Sequence, residues 1–169
     1  MRKHAKRGSA MVEFALAGTG TMLLFISTIQ LSLGMWNYHT LAYAVHETTR
    51  YASTHGKGCT ALGYTCKITV GDITSKIKSL AVGIPDSSAI VTLTTQSGAV
   101  TTCNPLNTCY TSTTVWPPSS NSDNLVGNRI TISAKYRYRS ALLFFWPGSG
   151  TLQFGTIWLP ASSTSAIVF

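Results

Sequence analysis

The sequence predicts an α+β protein: a long N-terminal transmembrane helix that continues into a small exported antiparallel β-sheet domain with one short helix. Three observations carry that prediction. After Glu13 no Asp, Glu, Lys or Arg occurs until Glu47, leaving 33 uncharged residues from Phe14 to His46. Helical spacing then persists through Leu41, Ala44 or Val45, Thr48 and Ala52 until Gly56 and Gly58 break it. From Ala89 onward the pattern changes to β-branched, alternating segments divided by turn residues, and helix first with strands later is the α+β order.

The apolar heart of the first segment, Phe14 to Trp36, has 23 residues. At 1.5 Å each these reach about 34 Å, enough for a bilayer core. The net charge of +8 is unevenly placed, because Arg2, Lys3, Lys6 and Arg7 supply four of the 13 basic residues. Beyond Gly8 the balance is 9 basic minus 5 acidic, or +4, too modest for phosphate binding to organise the whole chain. Basic residues ahead of a first transmembrane helix predict a cytoplasmic N-terminus and export of everything after about Tyr38. The expected organisation is a leader over 1–8, a long helix over 9–54 with about 10–36 in the membrane, and an exported domain over 55–169. A cleaved secretory signal is the rival, since Ser32-Leu33-Gly34 offers a small-x-small site. The apolar run is longer than an ordinary signal core, and a carboxylate stands at its front edge.

That carboxylate, Glu13, demands an explanation. An ionised group in hydrocarbon costs about 2.5–3.5 kcal/mol even on lenient insertion scales, so it calls for a partner. A cut between Gly8 and Ser9 supplies one: it removes all four leader charges and creates an α-ammonium at Ser9, one helical turn before Glu13. The plainer alternative places Glu13 at the wet headgroup boundary.

Arg7-Gly8-Ser9-Ala10-Met11-Val12-Glu13-Phe14-Ala15-Leu16 resembles the processing site of type IV pilin-like proteins: a basic leader, Gly before the cut, and Glu fifth after it. Together with Leu41-Ala42-Tyr43-Ala44-Val45-His46-Glu47-Thr48-Thr49-Arg50-Tyr51-Ala52, it is similar to the TadE-like pseudopilins of tight-adherence (Tad) pilus and secretion systems. Arg129-Ile130-Thr131-Ile132-Ser133-Ala134-Lys135-Tyr136 is similar to that family's characteristic strand. Gln30 is a departure, standing where many relatives carry Glu, and Thr19-Gly20-Thr21 is less apolar than usual. The resemblance implies a pilin-like fold, cleavage by a prepilin peptidase, and function by packing of the helix against other pilins or pseudopilins and an inner-membrane assembly platform. It implies Gly8 and Ser9 as the cleavage pair, with Glu13 and Phe14 serving assembly in the membrane lipid.

All four cysteines lie beyond the membrane segment, which fits an oxidising compartment. Cys59 and Cys66 flank one turn-rich peptide, Cys103 and Cys109 another, so local pairing is expected for each couple. Zinc is the competing reading, but neither gap has metal-knuckle spacing. Asp72 is expected to cap a short helix with Ile73, Ile77 and Leu80 on one face, ending near Gly83 and Pro85. The expected strands are Ala89 to Thr95, Ala99 to Cys103, Tyr110 to Val115 and the longest, Arg129 to Arg139. A further hairpin around Pro147-Gly148-Ser149-Gly150 joins Leu142–Trp146 to Thr151–Leu159.

Little here suggests catalysis. Lys135-Tyr136-Arg137-Tyr138-Arg139 interleaves cations with aromatics, but strand alternation sends the cations to one face and the tyrosines to the other, so no specific nucleic-acid partner is expected. His39 and His46 are seven positions apart, about 10.5 Å along a helix, too far to share a metal. No enzyme activity, metal or cofactor is expected. The apolar stretches Leu143 to Trp146 and Phe154 to Leu159 are expected to fill the sheet core, with some share for subunit contact. The function expected is that of a minor pilin or pseudopilin acting by assembly in adhesion or secretion. The alternative is a single-pass anchored binding module that forms no filament.

Overall fold

The computed structural model describes residues 6–56, 66–118, 122–141 and 156–168, with side chains from residue 10 onward. The first helix, α1, runs Lys6–Ser53, 48 residues without an internal proline. A second helix, α2, spans Val70–Leu80. Four strands follow: β1 Ala89–Thr94, β2 Val100–Cys103, β3 Arg129–Arg139 and β4 Thr156–Ala166. They form one sheet in the order β2-β1-β3-β4. The chain divides into two compact units, one of Met1–Met35 with Arg139–Thr156, the other of Trp36–Tyr138 with Ile157–Phe169.

In the second unit, the core lies between the sheet and the C-terminal part of α1. Leu41, Ala44, Val45, Thr48 and Ala52 are all buried, while Tyr43, His46 and Arg50 between them are exposed. This is the i, i+3/i+4 stripe of a helix that uses one face for packing. Val91 and Leu93 of β1 face the same core as Ala134 and Ile132 of β3, their antiparallel partners, joined by Ile130, Tyr136 and Tyr138. β3 alternates as strand geometry requires: Ile130, Ile132, Ala134, Tyr136 and Tyr138 inward, Arg129, Lys135, Arg137 and Arg139 exposed.

α2 starts earlier than the sequence suggests. Thr69 is its N-cap, accepting from the Asp72 N–H, and the Asp72 carboxylate accepts from the Thr69 N–H in return. The Thr-x-x-Asp spacing therefore forms a reciprocal capping box, with Asp72 as its third residue and not as the cap itself. Those hydrogen bonds, from side chain and then backbone of Thr69, hold the Asp72 carboxyl below the usual carboxylate range. Ile73 and Ile77 are buried as expected, and Leu80 is half-buried.

Tyr110 to Val115 is not a strand. Leu106–Cys109 forms a 3-10 turn capped by Tyr110. The chain after it crosses the start of α2: Val70 N–H donates to Thr114 O at 2.8 Å, Gly71 N–H to Ser112 O at 3.1 Å, and Thr69 makes a single bridge with Val115. Gly71 makes the approach feasible, since a Cβ there would meet Tyr110 O at 2.7 Å and Ser112 O at 2.8 Å. The β-branched run Thr111 to Val115 carries strand propensity, but its backbone partner is the first turn of a helix, which offers only a short ladder.

β4 continues to Ala166, well past Leu159, and takes Pro160 within it. A proline is tolerated in a strand at the border of a sheet, and β4 borders only β3 in the strand order. Residues Ile157 and Trp158 are 59% and 48% exposed, so this part of the apolar run does not fill the core; Leu159 alone packs against it. The first arm of the expected hairpin and its turn lie outside the described residues.

Cys103 and Cys109 are disulfide-bonded, with Cα atoms 5.7 Å apart, as the local-pairing expectation requires. Cys66 is also in a disulfide. Cys59 lies outside the described residues.

The β1–β2 turn is held by a buried carboxylate. Asp123, 2% exposed, accepts from the Thr95 hydroxyl at 2.8 Å, from the Ser97 N–H at 3.1 Å and from the Ser97 hydroxyl. Burial alone pushes this carboxyl upward; the donors of Ser97 and Thr95 together outweigh it and hold the group below its ordinary value. A depressed folded value stabilises the fold above the unfolded pKa of about 3.9, and that contribution is lost as pH falls through the folded value. Asp123→Asn, which turns an amide toward hydrogen-bond donors, is expected to lower stability by about 1–3 kcal/mol at neutral pH. Thermal unfolding across pH should show the gap to wild type closing below about pH 3.9. A gap that is constant with pH would mean that the carboxylate charge does not hold the turn.

Candidate functional site: the exposed half of the N-terminal helix

The first unit presents a helix whose apolar side chains are uncovered. Met11, Phe14, Leu16 and Leu24 are 79%, 80%, 73% and 71% exposed. Among the described residues, α1 is the one helix long and apolar enough to cross a membrane. Its hydroxyls suit that setting. Thr19, Thr21, Ser27, Thr28 and Ser32 each donate to the carbonyl oxygen four residues back, at 2.7 to 2.9 Å. Every Ser and Thr from Ala15 to Ser32 is thereby satisfied within the helix, leaving no unpaired hydroxyl to face hydrocarbon.

Gly18 and Gly20 would carry a Cβ without meeting any atom within 4 Å. Around Gly18, side chains of Phe14, Met22, Leu23 and Ile26 border a shallow groove of about 460 Å³ along the helix. Phe14, Gly18 and Met22 are four residues apart in turn, so the glycine is a notch between two large apolar groups on one face. A notch of this kind lets a second backbone come close, which is how small residues promote helix contact in lipid.

Glu13 stands on the same exposed stretch, and among the described residues no hydrogen bond or ion pair reaches its carboxylate. Gly8 and Ser9 are already helical, since α1 starts at Lys6. Ser9 therefore lies one turn, about 6 Å along the axis, before Glu13. Of the four N-terminal cations, Lys6 and Arg7 lie on the first turn of the helix, and Arg2 and Lys3 lie outside the described residues.

Gln30 has a role that hydropathy alone does not reveal. Its side-chain oxygen accepts from the Ala141 N–H at 3.1 Å, tying the helix to the stretch after β3 within the first unit. Carboxylate and carboxamide oxygens can both accept such a bond, so Gln serves without placing a second charge in the span. The signal available in the sequence was a lone amide inside an apolar helix, without any indication of its partner.

Among the described residues, no three or more His, Cys, Asp or Glu side chains come close enough to hold a metal ion. No curated protein and no solved structure matches the chain. The family model described as TadE-like protein does match, over residues 8–50, covering Gly8, Glu13, the exposed apolar face and most of the packed face of α1. That match lies on the long apolar helix that precedes the small antiparallel sheet, and over residues 8–50 this chain is similar to the TadE-like family.

Proposed function

We propose that this chain is a minor pilin or pseudopilin of a Tad-type pilus or secretion apparatus. It is stored in the inner membrane as a single-pass protein, its N-terminus in the cytoplasm and its sheet domain on the far side. Prepilin peptidase removes residues 1–8 by cutting between Gly8 and Ser9. The mature helix then packs against other pilins or pseudopilins at the membrane assembly platform, in adhesion or secretion. The observation that carries this reading is a TadE-like match lying on a helix with an uncovered, notched apolar face and one unpaired carboxylate a turn after the cut.

The chemistry follows from charge. Before cleavage, Arg2, Lys3, Lys6 and Arg7 hold the N-terminus on the cytoplasmic side. After cleavage, one ammonium at Ser9 replaces all four, and it can neutralise a Glu13 carboxylate of its own chain or of a neighbour. Phe14 and the Gly18 notch then give the apolar contact that the ion pair orients.

Intact mass of the membrane-purified protein, from a host with its prepilin peptidase, tests the first step. The expected product begins at Ser9, and Gly8→Val should retain residues 1–8. Recovery of a chain beginning at Met1 would favour a membrane-anchored binding module, and one beginning at Met35 a secretory signal.

A further inference from the structure

The outward face of the sheet differs from the rest of the molecule in its chemistry. Thr92 of β1 pairs with Ser133 of β3, and the Ser133 hydroxyl bonds the Ser162 hydroxyl of β4 at 2.9 Å. One rung over, Thr94 pairs with Thr131, whose hydroxyl bonds that of Thr164 at 2.8 Å. Two rows of hydroxyls thus cross three strands, with about 4.8 Å between neighbouring strands in a row and about 6.8 Å between the two rows. Beside them Lys135 places its ammonium 5.4 Å from the centroid of the Trp158 ring, and that ring is 48% exposed. Ile90, Lys135, Pro160 and Ser162 help to border a groove of about 460 Å³ on this face.

The charge on this face has a single sign. Arg129, Lys135, Arg137 and Arg139 all project from the exposed side of β3. The chain has five acidic side chains, Glu13, Glu47, Asp72, Asp86 and Asp123, and none of them is on a strand. The cations therefore have no carboxylate partner on the sheet.

We propose that this face is a binding site for a uronate-bearing polysaccharide. A sugar acid presents three things together: a carboxylate, a ring face of C–H groups, and several hydroxyls. The site presents their counterparts on one sheet face: Lys135, Thr92, Ser133 and Ser162 border the groove, and Arg137, the Trp158 ring and the Thr131–Thr164 hydroxyl pair lie beside it, the paired hydroxyls keeping free lone pairs. A neutral glycan leaves the cations without a partner. A nucleic acid uses phosphates along a longer basic track with several stacking rings, and this face has one exposed tryptophan and four cations on a single strand. The proposal is independent of cleavage after Gly8 and of filament assembly.

The test uses the full chain in detergent micelles with fluorescently tagged oligogalacturonate, read by polarisation. Oligogalacturonate is expected to bind at least ten-fold more tightly than a neutral malto-oligosaccharide of equal length. Lys135→Gln and Trp158→Ala should each weaken binding at least ten-fold, and Trp158→Tyr should stay within about three-fold of wild type. Lys76→Gln, whose ammonium lies over Tyr51 on α1, should leave binding unchanged. Unfolding midpoints equal to wild type show that the exposed substitutions do not act through folding. Absence of oligogalacturonate binding, equal binding of the neutral sugar, tighter binding of duplex DNA at matched charge, or unchanged binding by Lys135→Gln and Trp158→Ala would each overturn the proposal.

Discussion

Glu13→Ala is expected to insert into the membrane and be cleaved like wild type, yet to reduce the yield of sheared fibre relative to membrane-retained protein by roughly 10- to 100-fold. Insertion should not suffer, because removing a carboxylate from the apolar span removes an insertion cost of about 2.5–3.5 kcal/mol. Assembly should suffer, because a charge-assisted hydrogen bond contributes about 1.5–3 kcal/mol, which is that range of fold-change at each subunit addition. Glu13 is suited to such a role by its isolation, since among the described residues nothing else satisfies it. Glu13→Gln retains shape and hydrogen bonding without charge, and should fall between Ala and wild type. The three ratios must be compared at equal cleavage. If they are the same, Glu13 is an interfacial carboxylate and assembly rests on apolar packing alone.

The second large effect is expected in the other half of the same helix. Leu41 is 1% exposed and meets the core of the second unit, so Leu41→Ala should destabilise the domain by about 2–5 kcal/mol. Two residues on, Tyr43 is 58% exposed, and Tyr43→Ala should stay within about 0.5 kcal/mol. Denaturant midpoints of full chains in micelles measure both. Equal shifts would mean that the helix does not contribute one face to the core.

Much of this was legible in the sequence. The uncharged run after Glu13 and the stripe at Leu41, Val45, Thr48 and Ala52 are periodic over many residues, and period is what burial selects. The same holds for β3, where eleven alternating residues leave a single register that buries Ile130, Ile132 and the two tyrosines. The misses fall where partner geometry decides. Tyr110 to Val115 has strand composition, but whether it joins a sheet depends on what passes beside it, and here that is the first turn of α2. Ile157 and Trp158 are as apolar as any core residue, yet both are left exposed on β4. The Asp123 clamp joins positions 26 and 28 apart in sequence, a separation with no local signature. Gly8, Ser9, Glu13 and Phe14 could be singled out because they belong to one short contiguous motif, and their roles are those of the proposed function. The Gln30 bond to Ala141, across 111 positions, was not.

The packed face of α1 also has a mechanical meaning. Leu41, Ala44, Val45, Thr48 and Ala52 lie along one line of the helix and contact the core together. A pull along the helix axis loads these contacts side by side in shear, so they must yield as a group, whereas a flexible tether would let them peel away one at a time. Resistance to such a pull is governed by the rate of unfolding, which contacts sharing a load keep low. Within the second unit, the end of the helix is thus less a leash for the sheet domain than a spar built into it.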